Sequence, residues 1–345
     1  MTRSTFFRTS LRRSLIATAV GATVAATAVS NTAMAQEREL LNSSYDIARE
    51  LFSAINPEFQ AWWQEEHGEE IAISQSHGGS SAQARAIMQG LRADVVTFNQ
   101  VTDVQVLADA GLVAEDWQDA FDNNASPYYS TTAFLVRKDN PKGIESWDDL
   151  AKEDVQIVFP NPKTSGNGRY TYLAAWGFAE NEFDGDEEKI QDFMRTFLRN
   201  VAVFDTGGRG ATTSFIERGI GDVLISFESE VNNIRSEYGS DDYEVIVPPV
   251  SILAEFPVAV VGENAERNGN SDLAQSYLEY LYREDTQRLL AGFNYRVHDE
   301  TVVAEFADQF PDTELFEVED VFGSWEEAME NHFEGGALLD QLQRR

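Results

Sequence analysis

The sequence predicts an α/β fold in two lobes, and three observations lead there. Short apolar runs alternate with helical stretches along the chain, an order that lays helical crossovers beside parallel strands. A chain of 345 residues is longer than a single core usually serves, so two domains are expected. Two long β-branched passages, near 127–137 and 251–261, have the character of strands that cross between lobes. One lobe is then an insertion in the other: residues 36–125 and 255–345 form lobe 1, and 126–254 form lobe 2.

Residues 1–35 read as a cleavable export signal. Arg3, Arg8, Arg12 and Arg13 give a positive start, Leu15–Val29 is apolar, and Ala33-Met34-Ala35 ends it as an A-x-A cleavage site. No later segment reaches 18 uncharged apolar residues. The expectation is therefore a periplasmic protein without stable membrane insertion, exported by the general or the twin-arginine route.

The elements follow in order. Glu39–Ser44 is a strand, and helix runs from Ile47 to about Glu66 with a break or restart at Asn56-Pro57. Ile71–Gln75 and Asp94–Phe98 are strands; Ala82–Gln89 and Val101–Asp109 are helices. The long strand 126–138 leads to Asn140-Pro141. Strands follow at Val155–Phe159, Val201–Phe204, Asp222–Phe227 and Tyr243–Val247. Helices lie at Tyr170–Ala179, Glu187–Leu198 and Thr213–Arg218. After Pro248-Pro249 the chain is extended over 251–261, then helical at Ser271–Arg283, Thr286–Ala291, within Thr301–Phe310 and at Trp325–Phe333.

Charge narrows the function classes. The chain carries −33, and losing residues 1–35, with four arginines and no acid, takes it to −37. Such a surface repels nucleic acid and anionic membrane, and it suits a salty exterior. It also repels anions at long range, so any anion chemistry needs a local site, helped by screening. With 42% hydrophobic residues, 22 Phe and 6 Trp, the cores are well supplied. The absence of Cys removes thiol nucleophiles, Fe–S clusters, zinc-thiolate sites and a cysteine lipid anchor.

Four loops place small polar or Gly residues between a strand and a helix: Ser43–Asp46, Ser76–Ser81, Pro160–Arg169 and Asp205–Gly210. Asp46 is positioned to cap the first helix, and Ser80 with Gln83 makes an S-x-x-Q capping box. Free backbone N–H groups at the positive end of a helix attract anions. Two such loops fall in each lobe, and ligands of open α/β folds gather where such loops converge. None is a Walker A or dinucleotide loop. The four histidines are scattered and form no metal motif; Ser80 near His77 lacks a nucleophile elbow. No catalytic residue, metal or cofactor is expected.

LLNSSYDIARELF at 40–52, SQSHGGSSAQARAI at 74–87, PNPKTSGNGRYTYLAAWGFA at 160–179 and FDTGGRGATTSFIERGIGDVLISFESE at 204–230 carry a further signal. In these segments the chain resembles the periplasmic sulfate- and thiosulfate-binding proteins of ABC importers, and the likeness spans nearly the whole exported chain. The resemblance implies a two-lobed solute-binding fold that closes on a dehydrated sulfate and delivers it to a membrane permease, acting as a monomer. It implies ligands Asp46 and Ser80 from lobe 1, and Ser165, Gly166, Asn167, Gly208 and Phe227 from lobe 2. Asn167 stands where the family generally has Gly, and Gly208 where it has Ala. Phe227 stands where the family has Trp, and phenylalanine has no donor. Restoring that indole is therefore expected to tighten sulfate. Arg169 and Arg209 follow donor loops directly and either supply field or pair with buried acids; His77 orients the 76–80 turn. Phosphate or molybdate is the alternative ligand, and a secreted phosphatase or sulfatase the alternative class.

Overall fold

The structure, a computed structural model, describes residues 38–239 and 241–344. The export signal expected at 1–35 lies outside the described residues. The described chain opens with β1 (Arg38–Tyr45), and a single 3-10 turn at Asp46–Ala48 leads into α1 (Arg49–His67). The break expected at Asn56-Pro57 is absent, because α1 runs through Pro57. Proline forfeits one helical hydrogen bond. Leu51, Phe52, Ile55, Phe59 and Trp63 nonetheless keep one buried face on both sides of it, and buried Asn56 accepts a 2.7 Å bond from the Tyr277 hydroxyl. Gly68 ends the helix in the left-handed region at φ 68.

β2 (Ile71–Gly78), α2 (Ser80–Met88), β3 (Val95–Thr97) and α3 (Val101–Asp109) complete the first half of lobe 1. β1 runs parallel to both β2 and β3, as helical crossovers require. After a distorted turn, α4 (Asp122–Ala125), the chain leaves this lobe.

The extended passage at 126–138 is two strands, β4 (Tyr128–Ser130) and β5 (Thr132–Arg137), which belong to different sheets. Between them Thr131 turns its hydroxyl onto the Ile252 carbonyl at 2.8 Å. Lobe 2 then follows: β6 (Ile157–Pro160), α5 (Gly166–Glu182), α6 (Glu187–Arg199), β7 (Val201–Asp205), α7 (Gly208–Thr212), β8 (Val223–Phe227), α8 (Glu228–Tyr238) and β9 (Tyr243–Ile246). Its sheet has the order β7-β6-β8-β5-β9. Sequence patterning misses α8, whose buried apolar residues are only Val231 and Ile234.

The return passage is β10 (Val250–Ile252), β11 (Ala254–Glu255) and β12 (Val258–Val260). β11 pairs antiparallel with β4, and β12 joins β3 at the edge of the first sheet, giving the order β12-β3-β1-β2. Helices α9 (Gly262–Asn268), α10 (Ser271–Tyr280) and α11 (Glu284–Gly292) cover this lobe, followed by β13 (Arg296–Val297) and α12 (Glu300–Glu305). The two crossing passages meet in an aromatic core. The Tyr45 hydroxyl donates to that of Tyr295 at 2.9 Å, and Phe256 packs within 5.5 Å of the Tyr45, Tyr128, Phe227 and Tyr295 rings.

The last segment departs from the expected lobe limits. β14 (Glu314–Phe316) pairs in parallel with β10, and α13 (Val318–Phe322), α14 (Trp325–Ala328) and α15 (Leu338–Leu342) follow. This segment packs on α5, and α14 also meets α3. The Phe316 ring lies where a Cβ on Gly177 would meet it at 2.1 Å. Trp325 stacks edge-on against Tyr170 at 5.2 Å, and Tyr172 shares a 3.1 Å hydrogen bond with His332. Burial lowers the His332 imidazole to about 4, so it is neutral there. Lys163 donates to the Phe333 carbonyl at 2.7 Å and pairs with Asp340 at 2.9 Å. Isolated aromatic anchors like these leave no local periodicity for a sequence reading to follow.

Candidate anion-binding site

Four strand-to-helix turns, two from each lobe, converge on one small cavity. Its walls are Asp46, Ile47, Gly79, Ser80 and Asn99 from lobe 1, and Thr164–Asn167 with Thr206–Gly208 from lobe 2. The space left inside is about 10 Å³, about what a single water needs. Each turn lies at the carboxyl end of a parallel strand: β1 leads to Asp46, β2 to Ser80, β6 to Gly166 and β7 to Gly208. First-turn N–H groups have no partner within their helix, so four positive helix ends face one point. The wall contains no Lys or Arg.

The fit between the lobes is close. A Cβ built on Gly166 would lie 2.9 Å from Asn99 Oδ1, and one on Gly208 3.4 Å from Ile47 Cγ2. An alanine at 208 would therefore make an ordinary contact. Gly168 has no such latitude, since its Cβ would lie 2.3 Å from the Pro160 carbonyl oxygen. Ser165 is the N-cap of α5, its hydroxyl oxygen accepting from Gly168 N at 3.4 Å, which leaves its own proton to donate. Ser80 donates to Asn99 Oδ1 at 2.7 Å and accepts from Asn99 N at 3.2 Å. Asn167 sends its side chain to the Ser226 hydroxyl at 2.7 Å.

Asp46 is the one carboxylate in the wall. Burial pushes its carboxyl up, and the backbone N–H groups of Asp46, Arg209 and Ile47, with the Arg209 charge, oppose that. Its Oδ2 lies against the start of α7, 3.2 Å from where a Gly207 Cβ would be, so its charge meets that helix's positive end.

Six of the residues expected from sequence thus line one cavity: Asp46, Ser80, Ser165, Gly166, Asn167 and Gly208. Phe227 does not. Its ring is fully buried between Tyr170 and Phe256, in the aromatic core where the crossing strands meet. A strand-end position is legible in sequence, but the direction of the ring is not. The expectation for Phe227→Trp reverses accordingly. The larger ring should overpack this core and cost about 1–3 kcal/mol, with no gain in anion affinity. Unfolding midpoints and anion titrations of the variant check both.

Asn99 is in the wall without standing in any of the four donor loops, and Phe98-Asn99-Gln100 follows β3 as those loops follow their strands. Gln100 is also buried there, both of its side-chain amide atoms lack partners, and its Oε1 would lie 3.1 Å from a Gly166 Cβ.

His77, Arg169 and Arg209 stand outside the wall. His77 Nδ1 is 3.1 Å from the Tyr45 carbonyl, fixing the residue before Asp46. Burial lowers its imidazole pKa, and the nearby Arg49 and Arg209 charges add to that. The two arginines reach across the cleft. Arg169 of α5 lies 3.8 Å from Asp103 of α3, and Ser81 donates to the same carboxylate at 2.8 Å. Both charges are buried, which pushes the Asp103 carboxyl up and draws the Arg169 guanidinium down. Arg209 of α7 donates to the Asp46 carbonyl at 3.2 Å and to both Glu50 oxygens at 3.0 and 2.9 Å. Among the described residues, no group of three or more His, Asp or Glu is placed to hold a metal ion, and no helix is long and apolar enough to cross a membrane.

Comparison with known proteins agrees with this architecture. The family model described as bacterial extracellular solute-binding protein matches residues 47–296. A thiosulfate-binding protein of Escherichia coli (strain K12) is 58% identical over 89% of this chain and 91% of its own. A sulfate-binding protein of the same strain is 44% identical over 90% and 95%. Among solved structures, the sulfate-binding protein SubI from Mycobacterium tuberculosis H37Rv superposes with a TM-score of 0.77. It has 30% identity and covers 86% of this chain and all of that one. The chain belongs to the bacterial extracellular solute-binding proteins, and within them to the periplasmic sulfate- and thiosulfate-binding family of ABC importers.

Proposed function

We propose that this protein is a periplasmic receptor that binds sulfate and thiosulfate and delivers them to an ABC-type membrane importer. It acts without catalysis or cofactor, as a monomer that docks transiently on the permease. The observation that carries this reading is the convergence of four helix starts and the free Ser165 hydroxyl on one tight cavity without a cationic side chain. Such a site offers neutral donors to a compact dianion that brings no proton. Hydrogen phosphate needs an acceptor for its proton, and the one carboxylate in the wall, Asp46, is turned to the start of α7. The relatives include a thiosulfate-binding and a sulfate-binding protein, which supports the same ligand class.

Binding is coupled to closure, because the donors come from both lobes. The moving bodies on this reading are 38–125 with 255–313, against 126–254 with 314–344. Arg169–Asp103 and Arg209–Glu50 then act as clasps that favour the shut state.

Calorimetric titration at fixed high ionic strength tests the ligand. Sulfate and thiosulfate should bind one-to-one, and phosphate at least tenfold more weakly, about 1.4 kcal/mol. Preferential phosphate binding would contradict the reading. Replacing Ser165 with alanine removes a donor to a charged ligand and should cost about 1.5–3 kcal/mol, roughly 10- to 150-fold in Kd, whereas Ser80→Ala, whose hydroxyl proton is held by Asn99 Oδ1, should cost less. An unchanged Kd in the folded double variant would show that neither hydroxyl touches the anion.

A further inference from the structure

Phe227 brings no donor to the anion cavity, since its ring belongs to the aromatic core. Asn99 stands in the cavity wall on the lobe 1 side, between β3 and α3, and is only 5% exposed. Ser80 fixes the direction of its amide. The Asn99 N–H donates to the Ser80 hydroxyl oxygen at 3.2 Å, and that hydroxyl donates in turn to Asn99 Oδ1 at 2.7 Å. The carbonyl end of the amide is therefore the end turned to Ser80. Lobe 2 packs on the same end, where a Gly166 Cβ would lie 2.9 Å from Oδ1.

The nitrogen end is left over. Asn99 Nδ2 forms no hydrogen bond among the described residues. Gln100 Oε1, which would lie 3.1 Å from the same Gly166 Cβ, does not take it, because that oxygen is itself without a partner. A nearly buried amide NH2 with nothing to donate to is costly to keep, and this one stands in the wall of a cavity built from donors.

We propose that the Asn99 side-chain NH2 donates directly to the bound oxyanion and helps the site reject anions that carry a proton. The inference rests on the reading of the cavity as an oxyanion site, and it adds a side-chain donor from outside the four donor loops. An amide NH2 is neutral, offers two protons and cannot accept one, so it suits a dianion that brings none. Ser80 then acts through Asn99: by holding the carbonyl end it leaves the nitrogen end for the anion.

Two variants separate this role from that of a mere partner for Ser80. With Ser80 already replaced by alanine, Asn99 Oδ1 has no hydroxyl left to hold, so adding Asn99→Ala reports on the nitrogen end alone. Asn99→Asp does the reverse. It keeps an oxygen for Ser80 and turns the donor end into an acceptor, which only hydrogen phosphate can supply with a proton.

The test is calorimetry of the mature protein with sulfate, thiosulfate and phosphate at fixed high ionic strength and mildly alkaline pH, where phosphate like sulfate is a dianion. Adding Asn99→Ala to Ser80→Ala should weaken sulfate and thiosulfate by about tenfold or more, the effect of one hydrogen bond to a charged ligand. In Asn99→Asp, the ratio of sulfate to phosphate affinity should fall by about tenfold or more. A new charge that did not touch the ligand would weaken both dianions alike. An unchanged Kd in the first comparison, or an unchanged ratio in the second, would overturn the inference and leave the receptor reading intact. If the double variant does not fold, the ratio in Asn99→Asp decides alone. Preferential phosphate binding by the wild type, or no binding of sulfate and thiosulfate, would instead remove the receptor reading, and this inference with it.

Discussion

Replacing Glu228 with alanine should lower folding stability by about 3–5 kcal/mol, the cost of leaving one member of a buried ion pair alone. Glu228 opens α8 and has no solvent exposure. Both of its oxygens are held by Arg296 of β13, at 2.6 and 3.0 Å, and Arg296 also donates to the Pro311 carbonyl at 2.9 Å. Without the carboxylate, a nearly buried guanidinium keeps only that carbonyl and the Phe310 ring, 5.3 Å away. The pair ties lobe 2 to the strand that supports the first crossing passage, since β13 pairs with β4. The midpoint of urea unfolding measures the loss. Joint replacement of Glu228 and Arg296 by methionine should recover much of it, because two matched apolar groups leave no orphaned charge.

Gly168→Ala should damage binding more than its size suggests. The new methyl would meet the Pro160 carbonyl oxygen at 2.3 Å and the Asn161 carbonyl carbon at 2.9 Å, both backbone atoms. The start of α5 must then lift away from the end of β6. Ser165, Gly166 and Asn167 move with it, so three of the donor positions in the wall lose their aim together. A stability loss of about 1–3 kcal/mol is expected from the overpacking. Anion affinity should fall by about tenfold or more, since a single charge-assisted hydrogen bond is worth about 1.5–3 kcal/mol. Gly208→Ala is the control: its methyl reaches only ordinary contact with Ile47, and affinity should stay near that of wild type. Parallel titrations of the two variants check the contrast.

The parts legible in sequence are those whose physics is local. A strand that ends in small polar residues before a helix shows its pattern within about ten residues, and all four donor loops are of this kind. Helix α1 was harder, because Pro57 is a strong local breaker and only the packing of Phe59 and Trp63 carries the helix past it. Long-range contacts were not legible. Phe316 against Gly177 and Trp325 against Tyr170 tie the C-terminal segment to α5, and nothing near those residues announces their partners. Phe227 shows the same limit at the scale of one side chain. Its position at the end of β8 is readable, whereas its place beside Phe256 depends on how two crossing strands meet. Asn99 was missed because an asparagine after a strand is unremarkable until Ser80 is found donating to it.

The most direct test of the central claim is the position of thiosulfate in crystals of the mature protein, read from the anomalous scattering of its sulfur atoms. The expected result is one pair of peaks enclosed by Ser80, Ser165, Gly166 and Gly208, with backbone N–H groups and the Ser165 hydroxyl around the anion and no Arg or Lys touching it. An anion bound outside that cavity, or held there by the Arg169 or Arg209 guanidinium, would contradict a site built from helix ends and neutral donors.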